Sequence, residues 1–562
     1  MEQFFPATTM SVKLSRGIAA EKLLEDPAFQ SEWIDLAAVC PWATSFQAWE
    51  FADAWYSVYK DLYDVLLLFQ RDDKGRLTGL LPLAVELSTN QIVHVGAHQA
   101  EYQVWIASES SSDDFIERAL DLLKEQYPRQ RLKLRYLPAN VPQGWRSPGR
   151  RWRHSSILQE YRRPYLVLGV DSSVERSLKK RGNRNRINRL KRNGTLSFVH
   201  IQSRAELERL IDTVADFYDL RQGAISPTAP FRDDPRKREF TLRLLDKPGL
   251  THASVLMLDD VPIAANIGPI SHGFVSLGVF GYSPFYGESS PGRMLILLLG
   301  QYLGNCGLQQ LDLTSGGDSY KDEMADHTDP VYVLSVQFHR FAHFREMGKA
   351  VFLNVLKRCL NGKSRSTALK VRDVLFDPVI YLGNVANRLS LLRPRKYKKY
   401  YEIDLATVTS GSPETVFQVN SISDLLLYRP LRKQDLSRRA FLDYAWRRLE
   451  AGDRSYTYSE NGMLMYCAWL RQPGKGDSSN PGSVVELLPN TCLLWDSYIH
   501  PGAHRQDLMR ASLSQRIGDA AKIPGIEKVL VEAETIGPRF PSHADLLSGI
   551  NRTTAASSRL VA

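Results

Sequence analysis

Apolar runs recur along this chain in a fixed order, separated by turns of similar chemistry. Residues 65–69 are largely apolar, the polar turn Asp72-Asp73-Lys74-Gly75 follows, and residues 77–85 are apolar again, which predicts a β-hairpin. Beyond it the pattern predicts a strand at 102–107, a helix at 115–127 and a strand at 132–137. The order returns in the middle of the chain. Strands at 253–258 and 263–267 flank Asp259-Asp260, then come a strand at 274–280, an apolar helix entered at Pro291-Gly292, and a strand at 310–313. A third copy has strands at 455–458 and 463–469 about Glu460-Asn461-Gly462, a strand at 492–499, a helix at 506–521 and a strand at 528–534.

Each copy reads hairpin, strand, helix, strand, and the crossover helix predicts a parallel pair of strands inside a mixed sheet. A helix over 203–220 precedes the middle hairpin. Leu207, Leu210, Ile211, Val214 and Phe217 line one of its faces, and Ser203 with Glu206 forms a capping box at its start. Three α/β units follow, each of ordinary domain size, with boundaries near residue 165 and across 361–400. The second boundary mixes basic residues with Asn, Gly and Pro around helical segments, as a connector does, and 551–562 reads as a frayed end.

Composition narrows the class. A chain of 562 residues exceeds what one core holds, and 43% hydrophobic with 24% charged residues is globular. Cys40, Cys306, Cys359, Cys467 and Cys492 are odd in number, widely spaced and never in a CxxC pair. That argues against a disulfide scaffold or zinc site and for a reducing cytoplasm. The opening residues lack a basic stretch followed by an apolar one, and no apolar run approaches the ~20 residues that span a bilayer. A cytoplasmic protein with no transmembrane segment is expected. Ten tryptophans leave 153–445 empty, which supports the division into units.

The net charge of +10 is concentrated. Residues 179–192 read KKRGNRNRINRLKR, with eight cations and no acid, and a second basic stretch spans 393–399. Such runs form a solvated helix face and a basic linker. They also attract the phosphates of a cofactor, an RNA, a nucleotide-activated lipid or sugar, or an anionic membrane surface that the protein would touch peripherally.

The candidate chemistry lies in the middle unit. Ser289, Ser290, Pro291, Gly292, Arg293 and Met294 open the apolar helix, where bare N–H groups suit a phosphate and Arg293 adds a charge-assisted contact. Serine near an N-cap with proline at the first position is also an ordinary helix start. Asp312 stands at a strand end, placed to act as general base, to orient one, or to cap a turn. Past Gly316-Gly317-Asp318-Ser319, Tyr320 is a candidate proton donor, and Lys321 would stabilise an oxyanion or hold an acceptor phosphate; both types also occur at surfaces with packed stems. Asp219 and Arg221 reach the same cleft or pair with each other. His252, His272, His339 and His343 show no metal-type spacing, and HExxH, GxSxG and Walker patterns are missing, so no metal is expected.

These residues carry a resemblance. The basic run 179–192, Phe217-Tyr218-Asp219-Leu220-Arg221, Ile263-Ala264-Ala265, Gly281-Tyr282-Ser283-Pro284 and Ser290-Pro291-Gly292-Arg293-Met294-Leu295 form its first part. Gly307-Leu308, Leu311-Asp312-Leu313 and Gly317-Asp318-Ser319-Tyr320-Lys321 complete it. Over about 165–345 the chain resembles the acetyltransferase-like domain of the CelD type, a branch of the GNAT superfamily close to the Fem peptidoglycan ligases. The resemblance implies an α/β protein of tandem GNAT-like domains, each a mixed β-sheet flanked by helices. Residues 1–165 would be the N-terminal GNAT-like domain, 166–360 the central acetyltransferase-like domain, 361–400 a basic linker with helical segments, and 401–562 a degenerate C-terminal GNAT-like domain.

It further implies acyl-CoA, in the first place acetyl-CoA, as donor substrate at Ser289–Met294, Asp312, Tyr320 and Lys321 as catalytic residues, and a small-molecule or lipid- or sugar-nucleotide acceptor in exopolysaccharide or cell-envelope synthesis. A Fem-type transfer from aminoacyl-tRNA, with 179–192 on the RNA, and a silent GNAT-like scaffold are the alternatives. In the last unit the corresponding loop, 499–508, holds His504, Arg505 and Asp507 where glycines would let a backbone approach a pyrophosphate. That copy is expected to be structural or specialised.

Overall fold

The computed structural model describes residues 11–316, 319–339, 399–408, 416–433, 435–474, 487–533 and 560–561. The predicted connector over 361–398, the second basic stretch short of Lys399, His343, Cys359, Gly317, Asp318 and the end 551–559 lie outside them. The described part is a mixed α/β protein whose three sheets are flanked by helices.

The first sheet is built on the predicted hairpin, Tyr63–Arg71 against Leu77–Glu86, paired from Tyr63↔Glu86 inward. Asp72 closes its turn by accepting the Lys74 and Arg76 N–H groups, and Gly75 at φ +80° supplies the left-handed residue. Val12–Arg16, Ile92–His94 and Ile106–Ala107 complete it.

One expectation fails here. Only Ile106–Ala107 of the predicted strand 102–107 is regular, and Arg131–Leu137 does not join this sheet as a parallel neighbour. It pairs antiparallel with His327–Gln337 of the second sheet instead. The irregular Gln103 keeps one backbone hydrogen bond to it, N–H to the Arg135 carbonyl at 2.8 Å. The reason lies in partners far along the chain: His327–Gln337 offers ten residues of ladder to Ser156–Val167 on one edge and takes Arg131–Leu137 on the other.

The second sheet orders Arg131–Leu137, His327–Gln337, Ser156–Val167, Gln310–Asp312, Phe274–Ser276, Val261–Ser271, Thr251–Leu258 and Leu196–Ile201, with Val279–Tyr282 also on Val261–Ser271. The predicted parallel pair is present, Phe274–Ser276 beside Gln310–Asp312, joined through the helix Pro291–Asn305. The helix predicted over 203–220 is two, Arg204–Glu208 and Ile211–Ile225. Ser203 caps the first by accepting from Glu206 N–H, and the Glu206 carboxylate accepts in return from the backbone N–H groups of Gln202 and Ser203. Leu207, Ile211, Val214 and Phe217 are buried as their spacing requires, and Leu210 half-buried at the break.

The third sheet repeats the order with Arg454–Glu460, Met463–Arg471, Thr491–Ile499, the helix Arg505–Ala521 and Lys528–Ala533, again with the last two strands parallel. Its helix Arg438–Glu450 packs on Ile211–Ile225 so closely that a Cβ on Gly223 would lie 2.4 Å from Leu442 Cδ1. Phe217, Leu220 and Ala229 share one apolar cluster with Phe441, Leu442, Ala445, Trp446 and Leu449. The four described cysteines are free.

Because Leu442 is fully buried in that shared cluster, Leu442→Ala is expected to cost about 2–5 kcal/mol in denaturant unfolding and to expose the C-terminal unit to limited proteolysis.

Candidate functional site

The site begins where a strand comes apart. Phe274–Ser276 and Val279–Tyr282 are two halves of one strand, interrupted at Leu277-Gly278. The first half lies parallel to Gln310–Asp312, and Leu277 N–H still reaches the Asp312 carbonyl at 2.8 Å. Beyond that point the second half pairs, among the described residues, only with residues 264–267 on its other side. Glycine makes the break sterically possible: a Cβ on Gly278 would lie 2.3 Å from the Ile267 carbonyl oxygen, and one on Gly268 1.8 Å from that of Ser276. Asn266, fully buried, satisfies the polar groups so released, accepting from Gly278 N–H at 3.1 Å and donating to Ser276 O at 3.4 Å.

Asp312 closes the parallel strand and is inaccessible to water. Its carboxylate accepts from the Tyr102 hydroxyl at 2.5 Å, the Ser276 hydroxyl at 3.2 Å and Thr314 N–H at 2.8 Å. Thr314 in turn receives Lys321, whose Nζ lies 2.9 Å from its hydroxyl and 3.2 Å from its carbonyl. Arg221, from the helix Ile211–Ile225, donates to the Phe280 carbonyl at 3.3 Å and to the Tyr320 hydroxyl at 3.1 Å. Its guanidinium stands within 6.0 Å of the Phe280, Tyr282 and Tyr320 ring centres.

A cavity of about 410 Å³ opens against this edge, between the first two units. Tyr320 and Lys321 line it, with Ser276, Thr314, Ser315 and Gly316 on the same side. Glu101, Arg135, Tyr218 and Lys237 face them, and none of these four was legible as a site residue, because they come from four separate segments with no shared spacing. Burial raises the Glu101 carboxyl above the ordinary carboxylate range, against the opposing pull of Arg135 at 3.5 Å and of Lys321. Burial also moves Tyr218 up to about 12 and Lys237 down to about 8, and it pushes Tyr102, which faces the Asp312 charge, well above its usual value.

The expected site residues thus divide. Asp312, Tyr320 and Lys321 come together, with Asp312 one layer behind the wall formed by Ser276 and Thr314. Ser289–Met294 does not line the cavity. Ser289, Pro291, Gly292 and Met294 are buried, while Ser290 and Arg293 are half-buried. Ser290 sits at φ +49° and its side chain does not cap the helix. The space beside Gly292 is filled by the Tyr282 ring, 2.5 Å from where a Cβ would stand. Contacts run from this turn through Tyr282 to Arg221 and Tyr320. The fit to a donor phosphate rests on the first-turn N–H groups of Gly292 and Arg293, which have no acceptor within the helix, and on Arg293 Nε, buried without a partner.

Arg221 reaches the cleft. Asp219 does not; it accepts from Phe231 and Arg232 N–H groups, both at 2.9 Å, and burial raises it to about 6. The basic run forms a helix, Arg181–Asn193, anchored by buried Asn183 and Leu190 and by Arg189 on Glu288 at 2.9 Å. Among the described residues no group of three or more His, Cys, Asp or Glu suits a metal ion, and no helix is long and apolar enough to cross a membrane.

Residues 178–322 match the family model of the acetyltransferase (GNAT) domain. The match covers less than half of the chain and includes the basic helix, the parted strand, Ser289–Met294, Asp312, Tyr320 and Lys321. The middle of the chain is thus an acetyltransferase domain of an acyltransferase-type α/β protein. No curated protein matches the sequence. Among solved structures, the C-terminal domain of a putative lysylphosphatidylglycerol synthetase from Agrobacterium fabrum is similar at 11% identity over 54% of this chain and 96% of its own, with a TM-score of 0.35. FemX is similar at 9% identity over 55% and 94%, TM-score 0.37. A tandem GNAT protein from the clavulanic acid biosynthesis pathway is similar at 12% over 58% and 99%, TM-score 0.35.

Removing the Tyr102 hydroxyl leaves the buried Asp312 charge one donor short. Tyr102→Phe is therefore expected to destabilise the fold by about 1–3 kcal/mol, measured by urea unfolding.

Proposed function

We propose that this protein is an acyl-CoA-dependent N- or O-acyltransferase whose acceptor occupies the cavity between the first two units. The observation that carries the reading is the convergence of Glu101, Tyr320, Lys321 and Arg221 on one cavity where the strand edge of an acetyltransferase domain comes apart. The donor would supply a thioester carbonyl, with its phosphates at the N–H groups of Gly292 and Arg293 in the segment Ser289–Met294.

Glu101 takes the proton from the acceptor amine or hydroxyl, since its carboxyl is held above the ordinary range and faces the cavity. Asp312, sealed behind Ser276 and Thr314, serves as a positioning residue: it fixes Thr314, which holds Lys321. Lys321 stabilises negative charge on the carbonyl oxygen. Tyr320 protonates the departing thiolate, and the Arg221 guanidinium on its oxygen favours the phenolate left behind. The resemblance to CelD-type domains supports a cell-envelope or exopolysaccharide precursor as acceptor and a cytoplasmic setting.

A Fem-type transfer from aminoacyl-tRNA has one observation in its favour. Lys179, Lys180, Arg181, Arg184, Lys191 and Arg192 are all exposed and form no ion pair with described residues. Transfer RNA bound there would dissociate steeply with rising salt.

Calorimetry of the full chain with acetyl-CoA, longer acyl-CoAs and tRNA separates these readings. Acyl-CoA is expected to bind, and Gly292→Trp, which drives a large ring into Tyr282, to weaken it by about tenfold or more. Donor binding indifferent to Gly292→Trp, or no donor binding at all, would overturn the reading. With an acceptor in hand, Glu101→Gln should lower kcat by about 10²–10⁴ with donor affinity kept. Unchanged turnover in Tyr320→Phe with Lys321→Ala would remove both from the mechanism.

A further inference from the structure

The charge of the cavity is one-sided. Arg135, Arg221, Lys237 and Lys321 line it, and Glu101 is the lining carboxylate. Glu101 is matched by Arg135, and Arg221 and Lys321 are held by the parted strand and by Thr314. Lys237 stands apart from this machinery, on the helix Arg236–Leu245 that also contributes Phe240, Thr241 and Leu244 to the wall. Its Nζ donates to the Gln99 side-chain oxygen at 2.7 Å and forms no ion pair with described residues. Around it are the Tyr218 and Phe231 rings, 5.9 and 5.4 Å from the ammonium, with Asp219 and Asp234 more distant and His98 on the facing loop.

No described carboxylate forms an ion pair with that ammonium. Asp219 is already occupied by two backbone N–H groups, and Asp234 accepts from Tyr59 at 2.6 Å and from Gln99 at 3.1 Å. A buried cation whose hydrogen bond goes to a neutral amide is costly to keep unless something at the site requires it. An ammonium has three donors, and Gln99 takes one.

We propose that Lys237 reads an anionic group, a phosphate or a carboxylate, on the acceptor, so that the acceptor is an anionic small molecule whose nucleophile lies at Glu101. This deepens the acyltransferase reading, since it takes the cavity as the acceptor site. The geometry gives the acceptor two ends: an anion at Lys237 and Gln99, and an amine or hydroxyl at Glu101 below the parted strand. The Phe46, Phe51, Tyr136 and Phe240 rings offer apolar faces to the body of the molecule.

Isothermal titration and thermal melting of the full chain test this with inorganic phosphate, glucuronate and, as an uncharged control, glucose. One or both anions are expected to bind and raise Tm, and glucose to do neither. Lys237→Met should weaken the bound anion about tenfold or more while raising the Tm of the free protein, because an apolar side chain replaces an ammonium held in a site that disfavours its charge. Affinity for the anion should also fall as pH passes about 8, where Lys237 loses its proton, with Asp219, Asp234, His98 and Tyr218 the other ionisable groups facing it.

Anion binding unchanged in Lys237→Met, or binding of glucose as tight as glucuronate, would overturn the proposal, as would silence from both anions in a protein that still binds acetyl-CoA. Loss of acetyl-CoA binding alone, with the Lys237-dependent anion site intact, would instead overturn the acyltransferase reading.

Discussion

A carboxylate shut off from water stands at the meeting of the first two units, and much of the site geometry follows from how it is satisfied. A buried charge without donors would cost several kcal/mol, so Asp312 requires the Tyr102 hydroxyl, the Ser276 hydroxyl and Thr314 N–H in place together. Those three come from the first unit, from the last paired residue before the strand parts, and from the turn that leads to Tyr320 and Lys321. One interaction thereby ties the two units, fixes where the parallel pair ends and orients the turn. The cavity is the space left when the strand leaves that anchor.

The C-terminal unit enters the same structure by packing. Its helix Arg438–Glu450 lies on Ile211–Ile225, the helix that carries Arg221, and Trp446 meets the Tyr282 ring edge-on at 5.2 Å. Gly287, in the turn before Ser289–Met294, has the Glu450 carbonyl oxygen 2.7 Å from where a Cβ would stand. The C-terminal unit thus buttresses both the helix that carries Arg221 and the turn that leads into Ser289–Met294.

Legibility in the sequence followed the range of the physics. The three hairpins, the crossover helices and the two parallel pairs of the middle and last units were readable because turn chemistry and apolar periodicity act over a few residues. The first unit broke the rule at 102–107 and 131–137, since the choice of edge partner lies with His327–Gln337, nearly two hundred residues on. Asp312, Tyr320 and Lys321 stood close enough in sequence to be seen as a group. Glu101, Arg135, Tyr218 and Lys237 carry no common spacing, and their juxtaposition exists only once the units are docked.

By itself the sequence determined the repeated α/β order, the concentration of cations in Arg181–Asn193 and the helix start at Pro291, all consequences of local propensity and charge. Tertiary structure alone decided that the Asp312 carboxylate is closed off from water, that Glu101 faces the cavity, and that Lys237 is buried beside a neutral amide. The reason is burial: whether a carboxylate or an ammonium reaches solvent, a ligand or a hydrogen-bond donor depends on which distant segments close over it.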